Sequence, residues 1–124
     1  DMESAILLDP LFEQVVVVGE GKPYLAALIV LNEEHWQEFA VHLDVDPGHS
    51  GALRDSRVMK ALTRRVAHHL KHFPGYAQIR RLHPELEPWT LEEGLLTPTL
   101  KVKRNQVLDR YRAAVEAMYA DLAR

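Results

Sequence analysis

The segment Thr97-Pro98-Thr99-Leu100-Lys101-Val102-Lys103-Arg104 holds the densest chemistry of the chain. Three of its last four residues are cationic, and they stand directly before an amphipathic C-terminal pattern of helical period. A helix N-terminus already carries unpaired N–H groups and partial positive charge, so Lys101, Lys103 and Arg104 would add to a local positive field. A lysine ammonium is a compact charge on a mobile stem. Presented on a loop, it can neutralise two anions that must approach each other, such as a carboxylate and a phosphate. The plain alternative is a solvated basic turn.

Other chemistry-bearing spacings are weaker. His68 and His72 stand four residues apart, a spacing that can bind zinc on a helix, but no Asp or Glu nearby in sequence supplies a third ligand. A solvated face of a basic helix is the plainer reading. Asp44-x-Asp46-Pro47-Gly48 echoes a calcium loop without its closing Glu. Gly19-x-Gly21 lies between two strand-like runs rather than before a helix, so it reads as a turn and not a dinucleotide fingerprint. Trp36 and Trp89 read as core or rim residues. No metal site is expected.

These residues need elements to position them. The 124 residues suit one domain with a modest core, and an apolar content of 47% is ordinary for a globular chain. A net charge of -3 gives no global pull toward nucleic acid, so any anion site must be local. The absence of cysteine excludes disulfides and thiol chemistry. The apolar run Tyr24 to Leu31 is far too short to span a bilayer. The chain opens at Asp1 and runs at once into Ile6-Leu7-Leu8, which reads as a piece of a longer protein.

A short helix over residues 3–8 should stop at Asp9-Pro10. Val15-Val16-Val17-Val18 and Tyr24 to Leu31 read as strands buried on both faces, joined as an antiparallel hairpin across Gly19 to Pro23. Asn32 should cap a helix carrying Trp36, Phe39, Ala40 and Leu43. A loop over 44–51 precedes a long helix over 53–72, with Val58, Leu62, Val66 and Leu70 as its apolar stripe. Arg54, Arg57, Lys60, Arg64, Arg65 and Lys71 make its remaining face basic. Residues 79–86 suggest a third strand, restricted by Pro84 to an edge or a bulge. A loop over 87–100 leads to a single final helix from Asn105, with Val107, Leu108, Tyr111, Val115, Met118, Tyr119 and Leu122 facing inward. The expected fold is α/β (α+β): a small single-domain sandwich over 1–124. Its central, roughly three-stranded sheet includes the antiparallel hairpin and is flanked by helices.

Asp9 to Gly19, Lys22 to Val30, and above all Glu92-Glu93-Gly94-Leu95-Leu96-Thr97-Pro98-Thr99-Leu100-Lys101-Val102-Lys103-Arg104 resemble the C-terminal domain of AMP-forming long-chain fatty-acid–CoA ligases, in the adenylate-forming superfamily. Tyr111 and Glu116 to Tyr119 continue the match. The superfamily's last motif reads Thr-x-x-Gly-Lys-x-x-Arg. Here Thr97, Lys101 and Arg104 keep that spacing, with Leu100 where the Gly would be. The resemblance implies that Lys101 is the catalytic lysine of adenylation, with Thr97, Thr99, Lys103 and Arg104 near the nucleotide. Assigning Lys103 instead would put Thr99 and Gln106 at the Thr and Arg positions, a poorer fit.

It further implies a cytoplasmic enzyme, its membrane association left open, that joins a fatty acid to coenzyme A through an acyl-adenylate. ATP and Mg²⁺ would be bound mainly by an N-terminal adenylation domain on which this domain acts as a mobile lid. The isolated chain would be inactive. The rival reading is a non-catalytic α/β interaction module that docks an acidic partner through the basic helix 53–72.

Overall fold

The structure of the chain is a computed structural model, and it describes residues 1–120. Its order is α1 (Met2–Leu7), β1 (Phe12–Val18), β2 (Leu25–Leu31), α2 (Glu33–His42), α3 (Ser56–His69), β3 (Ile79–Glu85), α4 (Arg104–Arg110) and α5 (Arg112–Met118). Short 3-10 turns at Ala52–Arg54 and Gly75–Ala77 flank α3. The three strands form one mixed sheet in the order β1-β2-β3. β1 and β2 pair antiparallel, with Val15 opposite Ile29 and Val17 opposite Ala27. β2 and β3 pair parallel, with Ala27 beside Leu82.

Strand β2 is the centre because nothing in Leu25–Leu31 needs water. Six of its seven residues are buried. Its side chains alternate between two cores. Ala27, Ile29 and Leu31 join Val15, Leu82 and the helical stripe Val58, Leu62, Val66 and Leu70 on one face. Ala26, Leu28 and Val30 join Val16, Val18, Trp89, Leu96, Val107 and Met118 on the other. Trp36 and Trp89 are both buried. The expected sandwich is therefore present, with α1, α2 and α3 on one face and the segment carrying Trp89 to α5 on the other.

Two expected helices are revised. The helix expected over 53–72 begins only at Ser56. The Asp55 carboxylate accepts the Arg57 N–H and starts the helix there, leaving Leu53 and Arg54 in the preceding 3-10 turn. It ends at His69, with Leu70 as its C-cap, so Lys71 and His72 lie beyond it. The single final helix is in fact two, broken at Tyr111 (φ -103°, ψ 26°). The Tyr111 hydroxyl accepts a hydrogen bond from Trp89 Nε1 at 3.2 Å, holding the ring toward the sheet at the break. Of the residues expected to face inward, Val107, Met118 and Tyr119 are buried and Leu108, Tyr111 and Val115 half-buried. Leu122 lies outside the described residues.

Both free sheet edges are closed by side chains. At β1, the Val17 N–H donates to Glu3 Oε2 (2.8 Å), and the Val17 carbonyl accepts from Arg104 Nη1 (2.7 Å). Arg104 Nη2 completes the bracket by donating to the same Glu3 oxygen at 2.7 Å. At β3, Arg54 donates to the Pro84 carbonyl and pairs with Glu85, both at 2.7 Å. Pro84 is thus on an edge strand, as its missing N–H requires. Such closure blocks pairing with a foreign strand.

Candidate functional site

The cationic segment folds as a tight hairpin. Leu96 and Val102 form an antiparallel bridge, and Lys103 N–H donates to Leu95 O at 2.9 Å. Within it, Thr97 N–H donates to Lys101 O and Leu100 N–H donates to Thr97 O, each at 2.8 Å. Pro98 takes the second position of that turn, where its fixed φ fits. Leu100 follows at φ +65°. A three-residue hairpin loop of this pattern needs a left-handed residue there, ordinarily Gly. Leu100 therefore adopts a left-handed backbone that a glycine would take there without strain.

Thr97 is the internal brace of this loop. Its hydroxyl accepts the Lys101 N–H at 3.0 Å and lies 3.1 Å from the Thr99 hydroxyl. Lys101 is exposed at the tip. Among the described residues its ammonium has no hydrogen-bond or ion-pair partner. Lys103 is also exposed, as the residue before α4, and its carbonyl accepts the Val107 N–H. Arg104 differs: its guanidinium is spent on Glu3 and Val17 O, holding the start of α4 against β1 and α1.

The hairpin's base is anchored from several elements. Leu95 and Leu96 are buried in the second core, with Val102 packed against it. The Gln14 side chain pairs with the backbone of Trp89 as a strand would, Nε2 donating to Trp89 O (3.0 Å) and Oε1 accepting Trp89 N–H (2.7 Å). Arg110 pairs with Glu93 at 2.7 Å, which with Thr90 holds the Glu93 carboxyl below its ordinary pKa. The C-terminal helix is tied to the β1–β2 hairpin by Tyr119, whose hydroxyl donates to Tyr24 O at 2.9 Å and whose ring stacks on Tyr24.

The remaining candidate residues are not brought to this loop. His72 lies past the end of α3, so it and His68 are not one helical turn apart. Among the described residues, no group of three or more His, Asp or Glu is disposed to hold a metal ion. The Asp46 carboxylate serves its own turn, accepting Gly48 N–H at 3.0 Å. Half of the cations on the basic face are committed within the domain: Arg54 to Glu85, Arg57 to Asp55 and Arg65 to Asp9. That weakens the case for a basic helix kept free to dock an acidic partner.

Sequence reasoning passed over Glu3, Gln14 and Asp9. Asp9, a helix-stop residue by its place before Pro10, is a buried carboxylate. It accepts from Arg65 Nε and Nη2 (2.6 and 2.8 Å), His69 Nε2 (2.7 Å) and the Leu11 N–H (3.0 Å). Burial pushes its pKa up, but Arg65, the Leu11 N–H and His69 outweigh that and hold it well below the usual carboxylate range. A lone Asp at a helix end carries no sequence signal for partners so distant along the chain.

Among the described residues the segment thus offers two uncommitted ammonium groups, Lys101 at the hairpin tip and Lys103 at the start of α4, with no group of three or more His, Asp or Glu disposed to hold a metal beside them. A cation so placed can act on a reaction centre held by another body.

The family model described as "AMP-binding enzyme C-terminal domain" matches residues 1–123. The chain is 30% identical over 122 residues to a probable chloroplastic acyl-activating enzyme 16 of Arabidopsis thaliana, covering 96% of this chain and 16% of that protein. It is 30% identical over 120 residues to the long-chain-fatty-acid–CoA ligase FadD15 of Mycobacterium tuberculosis, covering 95% of this chain and 20% of that protein. Among solved structures, the A-PCP didomain of the carboxylic acid reductase from Segniliparus rugosus, in complex with AMP, superposes with a TM-score of 0.76. It is 27% identical, covering 98% of this chain and 16% of that one. The chain therefore spans about a fifth or less of the relatives it matches.

Proposed function

The chain belongs to the family of C-terminal domains of AMP-binding enzymes, and from that premise we propose that it is the lid of an AMP-forming long-chain fatty-acid–CoA ligase. In the first step a fatty-acid carboxylate oxygen attacks the α-phosphorus of ATP. A P–O bond forms and the bond to pyrophosphate breaks, giving the acyl-adenylate. In the second step the thiol of coenzyme A attacks the acyl carbon and AMP leaves. The first step brings two anions together, and a preorganised cation between them lowers its barrier.

The observation that supports this reading most is the placement of Lys101 at the tip of a hairpin held by the Thr97 brace, where it is exposed and, among the described residues, without a partner. We assign Lys101 the adenylation cation. Thr97 and Thr99 shape the loop, and Lys103 and Arg104 sit within the same nucleotide-proximal stretch. ATP, Mg²⁺ and the acyl chain are assigned to an N-terminal adenylation domain of the same polypeptide. This domain closes on it for adenylation and turns away for thioester formation.

The test is a product assay on the full-length protein with ATP, Mg²⁺, a long-chain fatty acid and coenzyme A. AMP, pyrophosphate and acyl-CoA should form in equal amounts. Release of ADP, or no dependence on fatty acid, would overturn the proposal. The 124-residue chain alone should give no turnover.

A further inference from the structure

Leu100 contributes little to its own domain. It is 68% exposed, and its backbone sits at φ +65°, a region that leucine enters only at a conformational cost. A glycine would take the same turn without that cost, and the polar loop around it offers no core for the side chain to join. What Leu100 does join is an apolar rim. It borders a groove whose apolar side is lined by Leu7, Leu86, Pro88, Leu96 and Val102, with Glu13 and Glu33 also in the lining. A strained, exposed leucine that the domain does not bury gains its return outside the domain.

We propose that Leu100 is a positioning residue, an apolar anchor that seats the hairpin tip on the adenylation domain of the same polypeptide when Lys101 is delivered. This rests on the assignment of Lys101 above. The occupant follows from the geometry of the tip. Leu100 and Lys101 are adjacent on one braced loop, so the surface that receives the ammonium also receives the leucine. The adenylation domain proposed above is the body that would supply such a surface, and the relatives have room for it, since this chain covers only 16% and 20% of them. Burying a leucine side chain that is 68% exposed in this domain alone favours the closed pose by about tenfold.

The experiment uses the full-length protein and measures the two half-reactions separately, as ATP–pyrophosphate exchange and as thioester formation from supplied acyl-adenylate. Leu100→Asn keeps a residue that tolerates positive φ and removes the apolar group. Adenylation should fall about tenfold, with thioester formation unchanged within twofold, and Leu100→Met should restore adenylation to within threefold of wild type. Unchanged or faster adenylation in Leu100→Asn overturns the anchor, as does equal loss in both half-reactions. Loss of binding to anionic phospholipid vesicles with adenylation intact would assign the leucine to a membrane and overturn it too. Lys101→Ala run in parallel separates the two ideas. If it abolishes adenylation while Leu100→Asn does not, only the anchor fails; if it leaves adenylation intact, the lysine assignment fails.

Discussion

Asp9→Asn should be among the most destabilising single-atom changes available in this domain. The Asp9 side chain is 4% exposed, and its two oxygens accept four hydrogen bonds, from Arg65 twice, His69 and Leu11. An amide offers one acceptor oxygen, and its NH₂ must face a donor, so at least one strong bond becomes a donor–donor clash. Removing one member of a buried pair costs about 3–5 kcal/mol. Arg65 is 39% exposed and recovers part of that from water, which leaves a cost of about 2–3 kcal/mol. The sign of the pH dependence follows from the depressed folded pKa. The contribution is fully present above the unfolded value of about 3.9 and declines by about 1.4 kcal/mol per unit as pH falls toward the folded value. Urea denaturation of the 124-residue chain at pH 7 and pH 3 measures both quantities. The gap between wild type and Asp9→Asn should be about 1 kcal/mol smaller at pH 3 than at pH 7. A cost at pH 7 under about 0.5 kcal/mol, or a gap that widens in acid, would refute the reasoning.

Two further predictions concern the elements that hold the lysine hairpin. Glu3→Ala removes the acceptor of the Val17 N–H, so hydrogen exchange at that amide should accelerate by about tenfold or more while amides of β2 stay protected; unchanged exchange would mean the β1 edge is closed by something else. Gln14→Ala leaves both backbone groups of Trp89 without their partner, which should cost about 1–3 kcal/mol and slow adenylation in the full-length protein; a variant as stable as wild type would contradict the bridging role.

What was legible in the sequence was local. The run Val15 to Val18 and the run ending at Leu31 carry their strand character in β-branched and apolar side chains, and both are strands. Asn32 caps α2 through its side chain as its type and position suggest. The stripe Val58, Leu62, Val66 and Leu70 is fully buried. Leu100 was conspicuous only against a motif that expects glycine, and its positive φ shows why that position is special. Long-range pairings were not legible. Arg104 with Glu3, Gln14 with Trp89 and Asp9 with Arg65 join residues far apart in the chain, and no periodicity or cap signal encodes such partners. The break at Tyr111 escaped for the same reason. The apolar pattern continues through it, and the bond that accompanies it comes from Trp89.

The central claim is that Lys101 supplies the cation of adenylation, and the most direct measurement is the pair Lys101→Ala and Lys103→Ala in the full-length protein. Removing one transition-state cation typically costs on the order of 10²–10³ in rate. ATP–pyrophosphate exchange should fall by about that factor in Lys101→Ala, thioester formation from supplied acyl-adenylate should fall far less, and Lys103→Ala should be the milder variant. Equal loss in both half-reactions, or a greater loss from Lys103→Ala, would contradict the account.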